Sequence, residues 1–142
     1  MNANALLRLR AVALCSLMMA TLSACSSSDT PLAGTSWRLE SYGAVDNPTQ
    51  VIEGPTITLT FESRGVLTGF SGCNIVEGEY ETDGDAIAIN YYTGPGLHCD
   101  GSAIVEQERM FLSILADSQS FTVTSDTLTV VSGERILKFT KA

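Results

Sequence analysis

Apolar and polar residues alternate along most of the chain from Gly34 onward, the period-two spacing of strands that turn one face to a core and the other to water. Trp37, Leu39 and Ser41 fall on one side of a first strand, with Arg38 and Glu40 on the other. Ile57, Leu59 and Phe61 alternate with Thr56, Thr58, Thr60 and Glu62. Ser63-Arg64-Gly65 reads as a tight hairpin into Val66–Phe70. A short strand around Tyr80 ends at Asp83-Gly84-Asp85, and the Asp-Gly pair signals a second hairpin into Ala86–Asn90. Tyr91 to Gly101 holds Gly94, Pro95, Gly96 and Gly101, so it reads as a loop that also carries His98 and Cys99.

After that loop the period changes. Ile104, Glu108, Phe111, Leu112 and Leu115 recur at helical spacing, with Glu106, Arg109 and Ser113 on the other side, which predicts a helix over Ser102–Ala116. Asp100 or Ser102 is placed to cap its first turn, and Glu106 and Glu108 lie toward the end that the helix dipole favours for acids. Three further strands, 121–123, 127–131 and 135–139, complete the pattern. The pattern predicts an α+β domain of about eight strands, mainly antiparallel, with one α-helix and no internal repeat.

The N-terminal segment follows neither period. Arg8 and Arg10 precede the apolar run Ala11–Ala20, the n-region and h-region of a signal peptide. A membrane-crossing helix needs about 20 consecutive apolar residues, and this run is about half that. It ends in Leu22-Ser23-Ala24-Cys25, which resembles the lipobox of bacterial lipoproteins, where Cys25 is lipidated and cleavage falls in front of it. Residues 1–24 then form the signal peptide, 25–31 a short polar lipidated tether, and 32–142 a single domain.

Cleavage there leaves six basic against sixteen acidic residues, a net charge of −10. Such a surface repels nucleic acid and anionic headgroups alike, so the acyl chains alone attach the protein to its membrane. The cysteines sort by compartment. Cys15 leaves with the signal and Cys25 carries lipid, so Cys73 and Cys99 remain in an oxidising space where one disulfide between them is expected.

Gly34-Thr35-Ser36-Trp37, Phe70-Ser71-Gly72-Cys73-Asn74 with Gly78 and Tyr80, and Cys99 followed by Glu106-Gln107-Glu108 together resemble the META domain family (HslJ-like) over about residues 32–140. The Gly-Cys-Asn element with its following Gly-x-Tyr is the most specific part. Ile75-Val76 departs from the family pattern, where many members carry an aromatic or basic pair. The resemblance implies a small α+β domain whose sheet curls into an open barrel around one helix, similar in outline to certain secretin-pilot lipoproteins. It carries over no enzyme chemistry.

Several residues invite a chemical reading. His98 beside Cys99 suggests an activated thiol, but neighbours in extended chain point in opposite directions. Cys73, His98, Cys99 and Asp100 offer metal-ligand types without the paired spacing of zinc sites. Gly69, Gly72 and Asn74 around Cys73 could shape a candidate binding loop or simply position the cysteine. The acids Glu77, Glu79, Glu81, Asp83 and Asp85 lack the ordered spacing of a calcium loop and fit a solvated strand face. Tyr91 and Tyr92 are the candidate exposed aromatic contacts, with barrel packing as the alternative. Trp37 belongs to the core.

No cofactor is expected, and no catalytic constellation. The first expectation is a non-enzymatic envelope lipoprotein that serves envelope integrity or stress response through binding an envelope protein or lipid. Ser26, which is not Asp, agrees with the outer membrane, facing the periplasm. The alternative is a pilot-like module that binds a small apolar ligand, lipid or protein segment in a cavity lined by Ile57, Leu59, Phe70 and Ile89. An enzyme or inhibitor ranks last.

Overall fold

The computed structural model describes residues 31–94, 99 and 101–142. Its elements run β1 (Thr35–Ala44), β2 (Asn47–Gln50), β3 (Thr58–Phe61), a 3₁₀ turn (Ser63–Gly65), β4 (Val66–Phe70), β5 (Ile75–Asp83), β6 (Ala86–Thr93), α1 (Ser102–Ala116), β7 (Ser120–Val123), β8 (Thr127–Ser132) and β9 (Arg135–Lys141). The strands are all antiparallel and follow the order β1-β3-β4-β5-β6-β7-β8-β9, after which β9 pairs back onto β1. The sheet is therefore a closed eight-stranded barrel where the family resemblance implied an open one. Closure comes from β9, which pairs with β1 from Trp37↔Lys141 to Ala44↔Arg135.

The short β2 hangs beside the ring on the outer half of β1. Its residues, Asn47-Pro48-Thr49-Gln50, carry no apolar alternation, and all four are exposed or half-buried. That is why the hydrophobic pattern passes over it. Two further boundaries differ from the pattern. β5 starts at Ile75, and β6 runs on through Tyr91, Tyr92 and Thr93, so those tyrosines lie in a strand and not in a loop. The long ladder between β5 and β6, from Val76↔Thr93 to Asp83↔Ala86, supplies the hydrogen bonds that keep this stretch extended.

Inward positions of the strands meet the helix. Trp37, Leu59, Phe61, Leu67, Val76, Leu128, Val130, Leu137 and Phe139 form one cluster with Phe111, Ile114 and Leu115 of α1. Ile57 and Ile89 belong to the same cluster, and Phe70 is half-buried at the end of β4. Three of the four residues proposed as the lining of an apolar chamber, Ile57, Leu59 and Ile89, are thus part of the packed core. Trp37 Nε1 donates to Thr35 Oγ1 at 2.7 Å, so its one polar atom is satisfied. Tyr80 stands edge-on to Phe61 with ring centroids 5.0 Å apart, and its hydroxyl donates to Glu62 O at 2.9 Å.

The glycines of the motif have a steric purpose here. A Cβ on Gly78 would sit 2.2 Å from Asn90 O and 2.7 Å from Tyr91 Cα. Both obstacles are backbone, so β5 and β6 could accept a side chain at 78 only by separating. Gly78→Ala is expected to lower stability by about 1–3 kcal/mol, read from the shift of a denaturant-unfolding midpoint. An unshifted midpoint would mean the two strands are not held this closely.

One junction of the ring is short. β6 meets β7 at a single residue pair, Ala86↔Ser120. Ile87 N donates to Gln119 O at 3.0 Å and Phe121 N to Asp85 O at 2.8 Å on either side of it. α1 connects these two strands, and beyond the first pair they part.

Candidate functional site

The most specific stretch of the sequence, Ser71-Gly72-Cys73-Asn74, forms the turn between β4 and β5. Gly72 has φ +97, a conformation that side-chain-bearing residues rarely adopt, and its Cα faces Ile57 closely enough that a Cβ would lie 3.2 Å from Cγ1. Ser71 N donates to Asn74 O at 2.9 Å and closes the turn.

Glu108 reaches this turn from the inward face of α1. It is only 9% exposed, yet its Oε1 has three donors around it. Asn74 Nδ2 donates at 2.9 Å, Asn74 N lies at 3.2 Å, and the Ser71 hydroxyl is in direct contact. That hydroxyl can donate only once, and Asn74 O competes for it at 2.9 Å. Beside it, Gln107 Oε1 accepts from Ile52 N at 2.9 Å and ties the helix to the segment after β2. A carboxylate in such a place is expected to be hydrogen-bonded, because a buried charge without partners is costly. The sequence marks Glu108 as an acid in phase with Phe111 and Leu115 and as part of the Glu106-Gln107-Glu108 stretch, but not as the partner of this turn.

Cys73 and Cys99 are joined as a disulfide with their Cα atoms 5.8 Å apart. The bond connects the turn to the residue two before Gly101, which caps the helix with φ +100. Ser102 is the first residue of the helix and Gly101 stands at its N-cap with no side-chain cap bond among the described residues, so Ser102 does not take the capping place expected for it. A carboxylate oxygen of Glu108 lies within 4.8 Å of both sulfurs. Metal binding takes thiolates, and in this arrangement the two sulfurs are bonded to each other while Glu108 Oε1 serves the turn.

The two tyrosines part company. Tyr91 is half-buried, and its hydroxyl donates to Leu112 O of the helix at 3.0 Å. Burial raises its pKa above the usual tyrosine value, with the negative charges of Asp117 and Glu108 adding to the effect. Tyr92 is 61% exposed on the outer face, and a hydrogen bond to Glu77 together with that carboxylate's charge raises its pKa. Glu77, Glu79, Glu81 and Asp83 all point outward along β5. Asp85 is exposed in the turn that follows. Cys25, His98 and Asp100 lie outside the described residues.

Helix, turn and disulfide thus form one unit at an end of a closed antiparallel barrel. The geometry defines a small α+β barrel domain whose signature polar residues hold its own parts together. The family model for the META domain matches residues 30–142, and the chain belongs to that family. No curated protein matches the chain significantly.

Among solved structures, the barrel is similar to the NMR structure of a protein from Burkholderia xenovorans. That match has a TM-score of 0.65 and 22% identity over 78% of this chain and 83% of the other. It is also similar to the crystal structure of a DUF4847 family protein from Bacteroides vulgatus, with a TM-score of 0.59 and 16% identity over 78% of this chain and 94% of that one. Likeness at these identities concerns the fold.

Proposed function

We propose that this chain is a lipid-anchored, non-enzymatic protein of the bacterial envelope, attached through Cys25, facing the periplasm from the outer membrane, and acting by binding another envelope component to support envelope integrity under stress. The observation that carries the anchor is the h-region ending in Leu22-Ser23-Ala24-Cys25. A binding role is supported by the way Ser71, Asn74 and Glu108 are spent on holding a turn, and Cys73 and Cys99 on a disulfide. The core cluster inside the barrel favours a partner on the outside over an enclosed apolar ligand.

Growth of an expressing strain with an alkyne-bearing palmitate analogue tests the anchor. The full chain is expected to take up the label and sediment with membranes, and Cys25→Ala to lose the label completely. Equal labelling of the two would refute acylation at Cys25. Unchanged heat and detergent tolerance in a deletion strain would remove the stress role.

A further inference from the structure

A closed barrel leaves no strand edge free, but this one closes incompletely. β6 is eight residues long and meets β7 at one pair. In an antiparallel strand the amides point alternately to the two neighbours. Ile87 N points to β7, where it bonds Gln119 O, so the amides of Ile89, Tyr91 and Thr93 point the same way. Gly94 N, in the other set, bonds Ile75 O on the β5 side at 3.2 Å. Among the described residues, no strand partner meets Ile89, Tyr91 and Thr93 along this edge.

The edge is also open. A groove of about 430 Å³ is lined by Ile89, Asn90, Tyr91, Tyr92, Thr93 and Ala116. Successive strand residues face opposite sides of a sheet, so a single groove touches all five only by running along the strand's edge. Its other wall is the exposed Ala116, whose small side chain leaves room at the end of α1.

Such an edge recognises extended backbone, because unpaired amides and carbonyls at strand spacing match those of a fourth-party strand and nothing else as well. Charge then selects among strands. β4, β5 and β6 contain no Lys or Arg, while Glu77, Glu79, Glu81 and Asp83 face outward from β5. Glu77 stands directly across from Tyr92 on the β5 side, one strand in from the edge. Asp117, next to the groove, is the one acid here with a basic partner, Arg135 at 3.0 Å.

We propose that the free edge of β6 from Ile89 to Thr93 takes an extended segment of another protein, rich in Lys or Arg on its outward face, as an added strand. This names the kind of partner for the binding role above and rests on that role. Tyr92 lies against the incoming strand's neighbouring side chain, and the acids of β5 attract its cations.

The test uses the full chain in detergent and a capped octapeptide of alternating Lys and Val. Binding is expected to slow amide hydrogen exchange at Ile89, Tyr91 and Thr93 at least tenfold. N-methylating every peptide amide, or replacing each Lys with Glu, should each weaken binding at least tenfold. Thr93→Pro, which removes one edge donor at the strand's end, should weaken it at least fivefold with the circular dichroism spectrum unchanged. No binding, binding that survives N-methylation, or protection appearing at other amides would overturn the proposal. Protection of these amides that rises with protein concentration and needs no peptide would assign the edge to a second copy, and also overturn it. These outcomes are independent of palmitate labelling, so a failure here leaves the anchor standing.

Discussion

Glu108→Ala is expected to lower the unfolding free energy by about 2–4 kcal/mol, because a hydrogen bond to a charged group contributes about 1.5–3 kcal/mol and alanine removes all three contacts to Oε1 at once. Asn74 Nδ2 loses its bond to Glu108 Oε1, whereas Asn74 N retains Ser71 Oγ at 3.0 Å and Ser71 retains Asn74 O at 2.9 Å. The loss is thus one charge-assisted bond from Asn74 Nδ2 plus the charge-assisted share of the two contacts that keep other partners. Glu108→Gln keeps one carbonyl oxygen at the same reach and should cost about 1 kcal/mol, the worth of an ordinary hydrogen bond. Denaturant unfolding of both variants checks the ordering. If alanine and glutamine cost the same, the carboxylate is not what holds the turn.

That buried acid also shows what a sequence can and cannot disclose. The helix over Ser102–Ala116 was legible because Phe111 and Leu115 recur at 3.6-residue spacing, and the observed helix has those bounds. Trp37, Leu39 and Ser41 alternate cleanly and all three are buried. β2 was invisible, since a strand exposed on both faces carries no periodicity. Tyr91-Tyr92-Thr93 was masked by the Gly-Pro-Gly run that follows, although its strand is held by a ladder from β5 that no local signal encodes. Barrel closure is likewise non-local. Whether β9 returns to β1 depends on how far the sheet coils, which composition does not report.

The Ser71–Asn74 turn lies between these cases. Its residues stood out as a unit, yet their role required knowing that Glu108, 34 residues on from Asn74, sits over them. Glycine and asparagine next to a cysteine are equally at home in a binding loop and in a tight turn. Only the hydrogen bonds separate the two readings for Asn74, whose side-chain amide donates to Glu108 of the helix. Tyr92 is the exposed residue of that candidate list, and the edge beside it becomes visible only once the strand order is known.

Removing the bridge by Cys73→Ser with Cys99→Ser is the larger perturbation. The two cysteines close a loop of 26 residues, for which the chain-entropy relation gives a loss of about 3–4 kcal/mol. The bridge and Glu108 hold the same four residues, one through the chain before the helix and the other from the helix itself. Their effects should therefore not add. Once the bridge is gone the turn can leave Glu108 more easily, so Glu108→Ala costs less in the serine background than in the native one. A double-mutant cycle by guanidinium unfolding is expected to return a coupling of about 0.5–3 kcal/mol, in the range for residues sharing one network. Reducing the native chain with dithiothreitol should reproduce the serine background. Additive losses would mean that the disulfide acts only by constraining the unfolded chain and leaves the turn untouched, with Glu108 alone setting the position of the helix against it.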